Sequence, residues 1–522
     1  MLKIIKKFIC LVLIFAVSAA FSSCKKETAK IPAADGEKIV YGQNINLFSY
    51  YPDTLNPFLT NIKENYDILT LIYEPLFAVR DNGEAVPCLA AGYEVLNNGL
   101  KVVVNLRENV KFQSGADFGA DDVIFTLKYI AEYAPSFLYV FDNIQSYSKD
   151  GLSVVFNLKS PQFNFVSCLD FPIVSRTTNI QSFNGDSKFL PNGCGAFSLD
   201  ASSFKQKEMH LVKNESYYKN DYPYAGSICV KFLKDESVAV SAFNSNEISA
   251  LTSDEFMWGD VAFTNEYSSI EYGGEWFYFL AFNYDNEMLC DENVRRMILS
   301  VVDKEDLVQK VFQSHAYPTN SIINPMYYYG KIYSSKFDLD NAEDYAKNAS
   351  FTDKDKNGIY EKITEDVTYL LSFDVLVNGD DDKLLKIADF LSESAKKAKM
   401  RFNIIALSGD DYLNAVNEKS YDILITKEKI GVGENLASKI DFNAKYIVPY
   451  EIYEKLSSVL NEINDKNINE KVREFNDLYI SLAPCVAICY DSSAMLNHYS
   501  LRNMTAWQKD RYRGILESFI KY

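Results

Sequence analysis

Paired cysteines are missing from this chain. None of its nine cysteines forms a Cys-x-x-Cys, and the seven beyond Cys24 (Cys88, Cys168, Cys194, Cys229, Cys290, Cys485 and Cys489) are odd in number and scattered. Spacing therefore gives neither a disulfide framework nor a zinc site. Cys485 and Cys489 stand in the apolar run Ala-Pro-Cys-Val-Ala-Ile-Cys-Tyr and read as strand residues, and most of the seven read as buried free thiols. Histidine is scarcer: His210, His315 and His498 lie far apart, which disfavours a nickel ion held by imidazoles, and each reads as an ordinary surface or core residue. Neither GxSxG nor HExxH occurs, so a hydrolase with a nucleophile elbow or a zinc helix is disfavoured. No period of twenty to fifty residues repeats, which removes solenoids and propellers. Basic residues are outnumbered, 53 Lys and Arg against 71 Asp and Glu, for a net charge of −18. A nucleic-acid partner or a cationic membrane-binding face would need the opposite balance.

What is present begins with a leader. Lys3, Lys6 and Lys7 precede an uncharged, mostly apolar run from Phe8 to Phe21, and Ser22 and Ser23 follow it before Cys24. That order is an export signal, and the run falls short of the roughly 20 residues a membrane-spanning helix needs. Phe-Ser-Ser-Cys resembles the bacterial lipoprotein box, with Phe21 where Leu is usual, so cleavage before Cys24 and lipidation of its thiol are expected. Loss of residues 1–23 removes three lysines and no acid, taking the charge from −18 to −21. Residues 24–38, rich in Lys, Ala, Glu and Pro, read as a flexible tether. The remaining chain, about 480 residues, exceeds what one core can organise, so two or more lobes are expected.

Hydrophobic periodicity places a strand over Ile39–Phe48 and a helix over Asn65–Phe77. Strands at Tyr93–Val95 and Lys101–Leu106 flank Asn97-Asn98-Gly99, residues that accept the positive φ of a tight turn. Asp121–Ala131 reads as a helix with an acidic first turn, and Gly151–Leu158 as a returning strand. Further helices are expected at Glu292–Val302, Lys304–Val311, Lys383–Lys399, Tyr450–Leu460 and Asn469–Leu482, with strands at Phe402–Leu407 and Cys485–Tyr490. Trp507, Tyr512 and Phe519 predict a docked C-terminus.

Several stretches, in order, resemble the family 5 extracellular solute-binding proteins, the oligopeptide-, dipeptide- and nickel-binding components of ABC importers. They are Thr54-Leu55-Asn56-Pro57, Ile72-Tyr73-Glu74-Pro75-Leu76 and Val86-Pro87-Cys88-Leu89-Ala90. The most specific is Leu106-Arg107-Glu108-Asn109-Val110-Lys111-Phe112-Gln113-Ser114-Gly115 followed by Ala120-Asp121-Asp122-Val123, with Gln113 where the family has His. Asn192-Gly193-Cys194-Gly195-Ala196-Phe197, Lys213-Asn214-Glu215-Ser216-Tyr217-Tyr218 and Asn293-Val294-Arg295-Arg296 continue the series.

The resemblance implies a mixed α/β fold of the periplasmic-binding-protein type II kind, two lobes around a cleft plus a small α+β extra domain. Lobe I would comprise residues 39–62, 190–272 and 492–522, the extra domain 63–189, and lobe II 273–491. It implies no catalysis. The protein would be a monomer, anchored outside the cell by lipidated Cys24, that closes on a small polar ligand, most simply a peptide, and docks on ABC permease subunits. The cleft segments would supply Tyr50, Tyr51, Thr54, Trp276 and Tyr278 and, from the stretch 422–433, Asp422, Thr426, Lys427 and Lys429. Peptide-binding members follow a Tyr-Asp strand, here Tyr421-Asp422-Ile423-Leu424-Ile425, with a Trp-containing loop and an Asp for the ligand's amine. Here Thr426-Lys427-Glu428-Lys429 follows, which favours an anionic group. Asp353, Asp355, Asn357 and Gly358 have the spacing of the first half of an EF-hand loop, with Thr364 instead of Glu at the twelfth position, so a structural calcium ion is one reading and a solvated turn the other. A peptide-sensing surface lipoprotein without its own transporter shares every one of these features, as does a binder of an oligosaccharide or metal chelate.

Overall fold

The computed structural model describes residues 39–185, 189–203, 207–253, 267–330, 337–431, 436, 440, 448–464 and 466–521. The leader, Cys24 and the tether lie outside the described residues, as do residues 432 and 433.

The first strand, β1 (Asn44–Tyr50), buries Ile45 and Leu47 on one face. After it the helix Lys63–Leu69 is shorter than its periodicity suggests. Pro75, which has no N–H to donate, follows closely, and the chain instead makes the hairpin β2 (Phe77–Val79) and β3 (Ala85–Pro87). Four strands then build a small antiparallel sheet: β4 (Ala90–Leu96), β5 (Lys101–Leu106), β6 (Ile144–Asp150) and β7 (Ser153–Leu158), in the order β4-β5-β7-β6. Asn97, Asn98 and Gly99 all have positive φ in the turn between β4 and β5. The helix Ala120–Tyr133 packs on this sheet, and the Asp122 carboxylate at its first turn accepts the Gly119 N–H at 2.9 Å.

The chain next adds β8 (Phe197–Leu199), β9 (Glu208–Lys213) and β10 (Ser227–Leu233) beside β1, giving a four-stranded sheet ordered β1-β10-β9-β8. The apolar residues of this sheet and of the small sheet belong to one continuous core, so the two sheets form a single packed body.

The next strands are β11 (Ala250–Ser253), β12 (Tyr267–Phe282), β13 (Ala316–Pro318), a hairpin of β14 (Glu361–Ile363) and β15 (Thr368–Leu370), then β16 (Ser372–Asn378), β17 (Arg401–Leu407), β18 (Ile423–Lys429) and β19 (Cys485–His498), and a short pair, Leu501–Arg502 with Phe519–Ile520, closes the chain. Seven of them form one sheet in the order β11-β19-β12-β18-β16-β17, with β13 on β19. Strands β16 and β17 are parallel and joined by the helix Asp382–Lys397, a right-sized crossover. Each face of this sheet has its own core: Tyr278, Leu280 and Phe282 enter one, and Phe277, Phe279 and Ala281 the other.

Strands β12 and β19, 16 and 14 residues long, are paired along most of their length and run from the first body into the second. Their register slips between Gly273 and Phe277 and again between Tyr278 and Phe279. At that irregularity Asp81, from the β2–β3 turn, accepts the Gly273 N–H at 2.9 Å, and Asp491 of β19 accepts the Trp276 N–H at 3.1 Å. The C-terminal segment is docked, with Tyr512 and Phe519 buried and Arg511 and Arg513 paired to Asp67 and Glu74.

Candidate functional site

A cavity of about 420 Å³ opens at the irregularity in the crossing strands, within the range expected of small-molecule sites. Its walls come from separate parts of the chain: Pro57–Lys63 after β1, Tyr139 and Asp170 from the segments flanking β6 and β7, Tyr272–Trp276 of β12, Lys429 of β18, Asp491 of β19 and Lys509 near the C-terminus. A larger cavity of about 740 Å³ lies between the small sheet and residues 461–464 and 466. Its lining is mostly asparagine and apolar groups, without the convergent charges that fix a polar ligand. The smaller cavity is the stronger candidate.

Strand register explains how four of the expected residues meet. Trp276 is opposite Lys429 and Tyr278 opposite Lys427, all on one face of β12 and β18. The Lys427 ammonium lies 5.0 Å from the centre of the Trp276 ring and 5.7 Å from that of Tyr278, and it pairs with Asp381 at 2.8 Å. Asp381 is itself held by the N–H groups of Lys383 and Leu384 at a helix start. Lys427 therefore braces the indole, and its charge is already matched. Trp276 remains 37 % exposed, a large apolar surface at the cavity, whereas Tyr278 is buried in the core with its ring 5.1 Å from Phe312.

Charge in the cavity is balanced by pairing. Lys429 Nζ stands 2.8 Å from Glu275 and Lys509 Nζ 3.3 Å from Asp170, whose other oxygen accepts from the Tyr139 hydroxyl at 3.2 Å. Burial raises the Glu275 carboxyl, but Lys509, Lys429 and Lys63 outweigh it and hold the group below the usual carboxylate range. Glu275 is thus an anion facing three lysines, and the pocket offers both signs of charge beside an aromatic platform.

The other expected residues take different places. Tyr50 is partly buried against Phe48, and burial together with Glu64 and Glu236 pushes its phenol up to about 12. Tyr51 is exposed near Phe232. Thr54 accepts the Asn56 N–H at 3.1 Å, and its carbonyl accepts from Asn65, so it supports the loop whose next residues line the cavity. Thr426 is buried on the opposite face of β18 from the two lysines. Asp422 lies beyond the far end of β18, about 20 Å from Lys429 at strand rise. There it accepts from Asn286 at 2.7 Å and from the Asp374 N–H at 2.8 Å, beside a shallower cavity. The sequence reading passed over Glu275, Asp170, Lys63 and Lys509. Only Glu275, next to Trp276, carried a local signal.

In the Asp353 loop the carboxylates of Asp353, Asp355 and Glu361 converge, their ligand atoms within 4.8 Å of one another. Glu361 enters at the ninth position, while Thr364 closes the β14–β15 turn by donating to the Val367 carbonyl at 2.9 Å. The oxygens suit calcium in kind. They are already engaged, however: Lys399 is 3.1 Å from Asp353, the Lys354 N–H donates to Glu361 and Asn357 donates to Asp355.

Comparison with known proteins follows the same lines. Residues 84–435 match the family described as bacterial extracellular solute-binding proteins, family 5 middle. The glutathione-binding protein GsiB of Salmonella paratyphi A is 23% identical over 336 residues, covering 62% of this chain and 64% of that protein, so the alignment spans less than two thirds of the relative. Among solved structures, the oligopeptide-binding protein AppA of Bacillus subtilis in complex with a nonapeptide superposes with a TM-score of 0.61 at 19% identity, over 93% of this chain and 100% of AppA. NikZ of Campylobacter jejuni in complex with Ni(L-His) gives 0.61 at 20%, over 90% and 97%. The shared fold is the two-lobed, type II periplasmic-binding-protein fold, as the motifs implied.

Proposed function

Because the chain belongs to family 5 of the bacterial extracellular solute-binding proteins, we propose that it captures a small polar ligand, a peptide in the first instance, by closing two lobes over the cavity beside Trp276, and delivers it to an ABC permease without covalent chemistry. The observation that carries this reading is the cavity at the crossing strands, where one aromatic face and paired charges of both signs converge from residues distant in sequence. A peptide brings an ammonium, a carboxylate and variable apolar side chains. Glu275 or Asp170 can take the first, Lys429 or Lys509 the second, and Trp276 can pack on the third. Of the similar proteins, GsiB is named for glutathione, the AppA structure holds a nonapeptide and the NikZ structure holds Ni(L-His), each a ligand that contains amino acids.

Closure follows from differential binding: a ligand that touches both lobes interacts better with the shut form, and only that difference shifts the equilibrium. Partly exposed ion pairs help, since the ligand's charges can replace a partner that is lost as the lobes move. The lobe limits 39–62, 190–272 and 492–522 against 273–491, with 63–189 as the extra domain, place the change of lobe inside β12, at its register slip. Export, lipidation at Cys24, life as a monomer outside the cell and the absence of catalysis complete the proposal. Calcium on the Asp353 loop is a subsidiary part of it, favoured by the entry of Glu361 and tested by whether a chelator lowers the melting temperature.

The test is mass spectrometry of what copurifies with the protein, followed by thermal-shift screening of peptide pools. A bound peptide and a rise in melting temperature are expected, with the rise lost in Trp276→Ala and reduced in Lys429→Met. Copurification of a sugar, a haem or a metal chelate, or no stabilisation by any pool, would overturn the peptide assignment.

A further inference from the structure

Away from the cavity, the four-stranded sheet gathers three residue types that bind metals and that chain spacing keeps apart. Glu208 and His210 alternate along β9, so their side chains share a face. Cys229 of β10 is directly opposite His210 in the antiparallel register. His210 Nε2 is 3.4 Å from Glu208 Oε1, and Cys229 Sγ is 3.8 Å from Glu208 Oε2. The three ligand atoms all lie within 4.8 Å of one another. Four-coordinate zinc with ligand bonds near 2.0–2.3 Å sets its ligand atoms about 3.3–3.8 Å apart along the edges of the tetrahedron. The two measured separations, to opposite oxygens of the Glu208 carboxylate, are already near that spacing, and side-chain rotation alone has to draw the three ligand atoms in from their 4.8 Å limit.

We infer that Glu208, His210 and Cys229 form a binding site for a borderline-soft divalent cation such as Zn²⁺ or Co²⁺, with the fourth position open to water. The donor set selects the class: thiolate and imidazole favour zinc or cobalt over calcium or magnesium, and the carboxylate completes a neutral three-ligand site. The surroundings agree. Cys229 is 7 % exposed and directed at the carboxylate, whereas His210 and Glu208 are about a third exposed, which leaves a path for the ion. Among the described residues no lysine or arginine pairs with Glu208, and nearby Lys231 turns to Glu247 at 3.3 Å. In the Asp353 loop, by contrast, Lys399 stands 3.1 Å from Asp353, a partner that calcium would have to displace.

In the absence of metal, the Cys229 thiol donates its proton toward Glu208 Oε2 across 3.8 Å. Binding replaces that proton: the S–H bond breaks, the sulfur pair is donated to the cation and H⁺ passes to solvent. A bound ion would tie β9 to β10 on the outer face of the first lobe. It is independent of the ligand cavity and of the peptide reading.

Co²⁺ is the probe, added to the reduced full-length protein. The expected result is one equivalent bound, with a near-ultraviolet thiolate-to-cobalt charge-transfer band and visible bands of tetrahedral intensity. Cys229→Ser should abolish the charge-transfer band, and His210→Ala, at a partly exposed side chain that the core does not depend on, should weaken binding by more than about 10-fold, since even outer-shell partners cost that much. Cys290→Ser, which removes the one exposed thiol among the described residues, should leave the band unchanged. No band in the wild-type protein, a band that survives Cys229→Ser, or one that disappears with Cys290→Ser would each overturn the assignment. Should Cys229→Ser fail to fold, unchanged affinity in His210→Ala would do the same.

Discussion

Two sets of ion pairs, arginine with carboxylate in one and lysine with carboxylate in the other, are built for opposite purposes. In the first body Arg511 and Asp67 meet at 3.2 Å with both side chains fully buried, and Arg513 meets Glu74 at 3.1 Å almost as deeply. They weld the C-terminal segment to the helix Lys63–Leu69 and to the strand-forming stretch after it. At the cavity, Lys429 and Glu275 meet at 2.8 Å, but the lysine is more than half exposed. A charge sealed from water depends on its one partner, because loss of that partner leaves it uncompensated. A charge that water can reach exchanges partners at little cost. The first arrangement locks a body, and the second leaves a surface that a charged ligand can enter.

The contrast is sharpest if the weld is cut. Arg511→Met should leave Asp67 buried without its main partner and lower the unfolding free energy by about 3–5 kcal/mol, read from the midpoint of urea denaturation. A loss no larger than that of Lys429→Met would erase the distinction. Next in size is the crossing itself. A Cβ on residue 274 would lie 1.8 Å from Asp491 Oδ1 and 2.9 Å from the Asp491 carbonyl, so Gly274→Ala must displace the carboxylate that holds the Trp276 N–H. A stability loss of about 1–3 kcal/mol is expected. Ligand-induced stabilisation should fall with it, and its survival would show that the crossing strands do not shape the cavity.

The smallest effect tests the joint between the bodies. Burial pushes the Asp81 carboxyl up to about 7, against the hydrogen bond from Gly273 and with help from Glu271. Its value in the folded protein is above that in the unfolded chain, so the folded state binds the extra proton. The stabilising contribution is therefore full below the ordinary carboxylate range and is lost as pH rises to about 7. Asp81→Asn retains an oxygen for the Gly273 N–H and removes the titration. Between pH 4 and pH 7 the melting temperature of the wild-type protein should fall relative to that of the variant by about 1–2 °C. Parallel curves would assign Asp81 no such part.

Legibility followed the range of the interactions. The helix Asp382–Lys397 was readable because its apolar stripe and lysine-rich end are local, and the β4–β5 turn because Asn97, Asn98 and Gly99 accept positive φ. Strand β6 was not, since it is an edge strand of mostly exposed residues with no alternation to betray it. The helix expected at Asn65–Phe77 stopped at Leu69, ahead of Pro75. At the cavity, Trp276, Lys427 and Lys429 could be named from motif position, but Tyr278 and Thr426 could be placed in the interior only once sheet register was known.

The sequence by itself determined most of the helices, the net negative charge and the family, because composition is a sum over residues and the helical stripes and family motifs are local to the chain. Tertiary structure alone decided which charges would share a cavity and which three side chains on β9 and β10 would converge. Asp170 meets Lys509, and Cys229 meets His210, only after separate strands and segments have packed, and no spacing along the chain encodes that distance.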